Sequence, residues 1–226
     1  MMSTMKHWPK WSLVLICLAT VSAWALGSSR MPGERQSGSR RLFLALRIEA
    51  PLAEQLVAAQ DSLKSDGFVL DWEPRANLHL TLHYLGQVDD TRLPALEKAL
   101  EEVAASQKGF SLDFCGLGYF TEAGRSAPTV VWAGCGGWKE RVVMLADEIS
   151  RALVRIGFPP RGRPFVPHVT LGWPTEPDQA GRLRQRIHEE RGRPFGIYFI
   201  PGFSLYESLH EDGRTVYRPL REFRLR

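Results

Sequence analysis

Asn77-Leu78-His79-Leu80-Thr81-Leu82-His83-Tyr84-Leu85-Gly86 decides the fold, because a second copy of its core follows ~90 positions later as Pro167-His168-Val169-Thr170-Leu171-Gly172. Both stretches read His-x-Thr inside a short apolar run. In a strand, successive side chains point to opposite faces. His79 and Thr81 therefore share one face, with His83 predicted beside them, while Leu78, Leu80 and Leu82 share the other. His168 and Thr170 likewise oppose Val169 and Leu171. Each strand buries aliphatics on one side and offers an imidazole beside a hydroxyl on the other. If the polar faces meet, two histidines and two hydroxyls surround one space of the size and chemistry that suits a phosphodiester.

Working outward, Arg41 to Ile48 reads as a mostly buried strand, and Pro51 suits a helix start. Leu52, Leu56, Ala59 and Leu63 then keep helical spacing up to Asp66-Gly67. Val69 to Trp72 reads as a short strand before the first motif. Leu93, Leu96, Leu100 and Val103 mark a second helix, with Thr91 or Asp90 as its expected cap. Phe110 to Cys115 alternates as a strand, Gly116 to Ser126 reads as turns, and Thr129 to Ala133 as a strand again. Val142, Leu145, Ile149, Leu153 and Ile156 stripe a long helix from about Trp138. A basic loop with Arg161 and Arg163 leads into the second motif. Leu183 and Ile187 mark a last helix. Three strands, Phe195 to Ile200, Phe203 to Glu207 and Val216 to Leu220, with Gly213 in a turn, close the chain.

Short strands mixed with helices, without a regular parallel rhythm, predict an α+β fold with antiparallel sheets. A helix near each motif predicts two pseudo-symmetric lobes facing a central cleft, forming a single domain over 41–226. Residues 1–40 read as a leader. Lys6 and Lys10 precede an apolar run from Trp11 to Leu26, with Ala23 and Ala25 in a signal-like pattern. The alternative is an early start codon, with Met31 as the true start and a cytoplasmic protein; otherwise residues 1–26 export or anchor the chain.

Of the 29 basic and 25 acidic residues, five basic and one acidic fall in residues 1–40. The remaining 24 of each sign cancel, which excludes a broadly basic nucleic-acid binder. An RNA ligand would be gripped locally, at one end or one phosphate. Cys115 and Cys135 leave two readings open, one disulfide outside the cytoplasm or two free thiols.

Histidine titrates nearest neutral pH. Two histidines flanking a phosphodiester can split the work, one taking a proton from water and the other giving one to the leaving oxygen. Threonine hydroxyls can donate to non-bridging oxygens. No metal or cofactor is needed for that division. A metal-dependent hydrolase built on His79, His83 and His168 is the least favoured reading. His83 is expected on the substrate side of the cleft. His7, His188 and His210 have no functional context.

These residues resemble the 2H phosphoesterases, and within them the RNA 2′,3′-cyclic phosphodiesterases once called 2′-5′ RNA ligases. The resemblance rests on Arg41-Leu-Phe-Leu-Ala-Leu, on Trp72 to Gly86, on Arg163-Pro-Phe-Val-Pro-His168-Val-Thr170-Leu, and on Leu205-Tyr-Glu-Ser-Leu with Gly213 and Tyr217. It implies a bilobal fold and hydrolysis of a 2′,3′-cyclic phosphate to a 2′-phosphomonoester. It also implies His79 as proton donor, His168 as proton acceptor, and Thr81 and Thr170 as phosphate ligands. The expected partner is an RNA end or nucleotide carrying the cyclic phosphate, and the expected state a monomer. Relatives often carry basic residues where this chain has Val166 and Trp173; Arg163 or Arg161 is expected to supply the missing contact, or Trp173 to stack on a base. Two alternatives accompany the hydrolase: 2′-5′ RNA ligation in the same site, and a binding module that holds an RNA end without turnover.

Overall fold

The computed structural model describes residues 38–226. The leader expected over 1–40 lies almost wholly outside the described residues. Nine strands and four helices follow. They are β1 (Ser39–Arg47), α1 (Leu52–Ser65), β2 (Leu70–Trp72), β3 (His79–Asp89), α2 (Leu93–Ser106), β4 (Phe110–Thr121), β5 (Pro128–Cys135), α3 (Lys139–Arg155), β6 (His168–Pro174), α4 (Ala180–Glu189), β7 (Pro194–Ile200), β8 (Gly202–Glu211) and β9 (Arg214–Arg224). The four helices lie where the apolar stripes put them. Leu52, Leu56 and Leu63 of α1, Leu96 and Leu100 of α2, Val142 and Ile149 of α3, and Leu183 and Ile187 of α4 all enter one core. That core also takes Leu42, Leu44 and Leu46 from β1. Phe43 and Ala45 alternate with them and pack on the other face with Tyr206 and Tyr217.

The nine strands form one sheet, paired antiparallel throughout, in the order β7-β4-β5-β6-β3-β1-β8-β9, with β2 also paired to β6. Read outward from its centre, the order is β6-β5-β4-β7 on one side and β3-β1-β8-β9 on the other. Each half is innermost at its motif strand. The halves join where Leu80 pairs with Val169, the middle residues of the two His-x-Thr triplets. Antiparallel partners keep a constant sum of positions, so His79 stands opposite Thr170 and Thr81 opposite His168. This is the pseudo-twofold relation expected of the two lobes.

Each motif strand then carries the same irregularity. In β3, Thr81 faces Ala45 while His83, two residues on, faces Leu44. In β6, Thr170 faces Trp132 while Gly172 faces Val131. One extra residue directly after the threonine is a β-bulge, which flips the alternation beyond it. Leu82 and His83 consequently both turn inward, at 1% and 3% exposed. His83 was expected on the face of His79 and Thr81; the bulge turns it to the core side instead.

Other departures are local. The segment from Gly116, expected as turns, continues β4 to Thr121 past a bulge after Phe114, with Gly116 at φ 78°. A side chain at Gly116 would also meet the Arg191 carbonyl at 2.4 Å. A short 3-10 turn over Asp90–Arg92 precedes α2, so the cap position of the helix is Arg92, with no side-chain hydrogen bond, rather than Thr91 or Asp90; Asp89 caps the turn, its carboxylate accepting from the Thr91 N–H at 2.8 Å. Asp212 and Gly213 both take positive φ in the two-residue turn between β8 and β9, the mirror-image geometry that matches strand twist. Among the described residues, no helix is long and apolar enough to cross a membrane.

Candidate active site

The two motif histidines have the same local construction. His79 Nδ1 lies 2.6 Å from the Asn77 carbonyl, and His168 Nδ1 lies 2.7 Å from the Val166 carbonyl. A carbonyl can only accept, so each neutral ring carries its hydrogen on Nδ1 and turns its Nε2 lone pair outward as an acceptor. His79 Nε2 lies 3.0 Å from Thr81 Oγ1, which donates to it. Two aromatic rings flank each imidazole. Phe43 and Tyr217 stand 5.0 and 4.9 Å from His79, and Phe120 and Trp132 stand 4.9 and 6.1 Å from His168. The ring of Trp132 lies along the sheet over Gly118, where a side chain would meet it at 2.2 Å.

This packing sets the charge state. Burial holds the His79 imidazole down to about 4, only partly offset by the Asn77 carbonyl, with the His168 charge adding to the depression. Burial also lowers His168, against the pull of the Val166 carbonyl. Both rings are therefore neutral at pH 7 in the free protein. Tyr217 is pushed well above its ordinary value by burial, and stays a neutral phenol against His79.

A cavity of about 410 Å³ opens against His79, with Phe43, Tyr206 and Tyr217 as aromatic walls and Arg47 and Arg75 among its lining. Arg47 is the β1 partner of His79, so its side chain leaves the same face of the sheet. Its contact with Glu49, at 3.1 Å, is exposed.

The register thus sets His79, Thr81, His168 and Thr170 on one face of the paired motif strands, His79 opposite Thr170 and Thr81 opposite His168. It does not bring in His83, which faces the core, and the three-histidine metal arrangement is thereby lost. Among the described residues, no group of three or more His, Cys, Asp or Glu side chains is placed to hold a metal ion. Arg161 is half-buried and committed to Asp147 and the Phe165 ring. Arg163 is exposed in the loop before β6, and Trp173 is half-buried opposite Asp71 of β2. Val166 contributes its carbonyl, so its side chain is not the working part. Cys115 and Cys135 are both free thiols, and burial pushes Cys135 up to about 12.

Sequence reasoning missed Asn77 and Arg47. Asn77 Nδ2 donates to the Thr215 carbonyl at 2.9 Å, which fixes the carbonyl that sets the His79 tautomer. An asparagine two residues before a motif histidine, at a predicted strand entry, was the available signal. Arg47 could have been found only by knowing the β1–β3 register.

The family model of LigT-like phosphoesterases matches residues 46–132 and 137–217. A relative from Archaeoglobus fulgidus, named RNA 2′,3′-cyclic phosphodiesterase, is 31% identical over 185 residues, covering 81% of this chain and 99% of its own. One of the same name from Escherichia coli K12 is 30% identical over 201 residues, covering 84% and 98%. The crystal structure of E. coli LigT complexed with 3′-AMP superposes with a TM-score of 0.65 at 29% identity, covering 83% of this chain and 98% of that one. With the paired motifs, the sheet order and these matches in agreement, the chain belongs to the LigT-like phosphoesterases of the 2H phosphoesterase superfamily.

Proposed function

We propose that this protein is an RNA 2′,3′-cyclic phosphodiesterase that opens the ring to a 2′-phosphomonoester by acid–base catalysis between two histidines. The observation that carries the reading is the Leu80–Val169 register, with both Nδ1 atoms tied to carbonyls. It leaves two Nε2 atoms and two hydroxyls to serve one phosphate. His168 Nε2 takes a proton from water as the water oxygen bonds to phosphorus. The bond from phosphorus to O3′ breaks, and His79 Nε2–H gives O3′ its proton. Thr81 and Thr170 donate to the non-bridging oxygens. The bound phosphodiester anion favours the imidazolium, so the substrate itself raises the depressed His79 toward its working state. The aromatic cavity beside His79 gives a nucleoside a place to lie, which supports an RNA or nucleotide end over a bare cyclic phosphate.

The test is incubation with an RNA oligonucleotide ending in a 2′,3′-cyclic phosphate, with EDTA present. A 2′-phosphate end is expected, because the two imidazoles account for both proton transfers. His79→Ala and His168→Ala should each lower kcat by at least ~100-fold. A 3′-phosphate product reverses the direction of opening, and full activity in either variant rejects the acid–base pair.

A further inference from the structure

A buried, ionisable ring on the core side of a motif strand needs a reason. His83 is 3% exposed and lies beyond the bulge that follows Thr81. Its ring hydrogen-bonds the Pro159 carbonyl, in the loop that runs from α3 to β6, and lies within reach of the Arg161 charge. Arg161 in turn pairs with Asp147 of α3 and stands over the Phe165 ring at 5.0 Å. The next residue is Val166, whose carbonyl accepts from His168 Nδ1.

The two lobes solve the same problem differently. In the first, the carbonyl that orients the histidine belongs to Asn77, whose own side chain is fastened to β9. In the second it belongs to Val166, whose side chain is 45% exposed and fastens nothing. Gly162, Arg163 and Pro164 are exposed as well. The loop must be held from its inner side, where His83 and Arg161 are. Arg161 Nη1 and His83 Nδ1 are both buried without a partner, and they are complementary, one with a hydrogen to give and the other with a lone pair.

We propose that His83 is a positioning residue for His168: through Pro159 and Arg161 it fixes the loop whose Val166 carbonyl holds the second imidazole in its working tautomer. The β3 strand of one lobe thereby sets the ring orientation in the other. The kinetic part of this proposal rests on the activity proposed above, while the tautomer does not.

The test compares the full chain with His83→Leu, His83→Gln, Arg161→Met and the Leu/Met double variant. Two quantities are read: steady-state kinetics on the cyclic-phosphate RNA, and the ring ¹⁵N shifts of His168. His83→Leu should lower kcat by about tenfold or more, as expected for a catalytic group held in the wrong orientation, with KM within about threefold. His168 should pass from a single Nδ1–H tautomer to a mixture. His83→Gln, whose amide can still donate to Pro159, should restore both. The double variant should lose no more than the worse single. Wild-type kcat with an unchanged His168 tautomer in His83→Leu overturns the proposal, as does a glutamine variant no better than leucine. If His83→Leu does not fold, Arg161→Met decides by the same two readouts. If the wild-type protein opens no cyclic phosphate, the activity reading falls and the tautomer alone decides this one.

Discussion

The acid–base catalysis proposed for the two imidazoles requires one protonated and one neutral. The population of that form peaks between the two macroscopic pKa values of the pair. Burial lowers both His79 and His168, so the optimum of kcat/KM, which reports the free protein, should lie on the acid side of 6.5. The optimum of kcat should lie higher, because the bound anion stabilises the imidazolium. Two pH–rate profiles on one substrate check this, and a kcat/KM optimum above pH 7 contradicts the burial argument. Arg47 invites a second measurement. It shares a face with His79, borders the aromatic cavity, and its contact with Glu49 is exposed. Arg47→Ala should raise KM for an oligonucleotide by about three- to tenfold with kcat nearly unchanged, the pattern of lost uniform binding. For a 2′,3′-cyclic mononucleotide with a free 5′-hydroxyl, KM should hardly move. At this scale the sequence was legible for the four motif side chains, because alternation alone places them. It was not legible for His83, since period-two reasoning cannot see an inserted residue, nor for Arg47, whose role depends on a neighbour 32 positions away.

Among the elements, helix α1 does more than cover the sheet. Gln60 is buried, and its Nε2 donates to the carbonyls of Glu73 and Leu171, at 2.8 Å each. Leu171 lies in β6, and Glu73 follows β2, whose own N–H donates to the Leu171 carbonyl. One amide thus fastens α1 across the seam where β2 meets the second motif strand. Gln60→Leu would keep the volume and strand two buried carbonyls with fewer donors. It should cost about 2–4 kcal/mol in denaturant unfolding, at the rate of 1–3 kcal/mol per buried group left short; a change below 0.5 kcal/mol would show that the seam does not depend on it. The helices themselves were readable from their stripes, since apolar spacing sustained over about three to five turns is hard to mistake. Strand ends were less so. Gly116 reads as a turn signal, yet here it supplies the positive φ of a bulge inside a continuing strand. Glycine marks both, and only the partner strand separates them.

At the scale of the whole molecule, the fold places ionisable rings where water cannot reach them, and that couples stability to pH. His83 is buried, and its pKa is held down to about 4, by burial first and the Arg161 charge second. In the unfolded chain it titrates near 6.5. Above pH 6.5 both states are neutral and its contribution does not vary. Between 6.5 and 4 the unfolded chain takes a proton that the folded protein refuses, so stability falls as pH falls. Below 4 both are protonated and the loss is complete, at roughly 3 kcal/mol for a shift of this size. His79, also held down to about 4, and His168, lowered by burial, act in the same direction. Replacing His83 by glutamine retains a donor for Pro159 and removes the titration. Unfolding free energies at pH 7 and pH 4.5 should therefore fall by less in His83→Gln than in the wild type, by about 2 kcal/mol, most of the full linkage. Equal falls in the two proteins would mean that the folded chain protonates His83 at its ordinary value, and that the ring is not sealed beneath the β3 bulge.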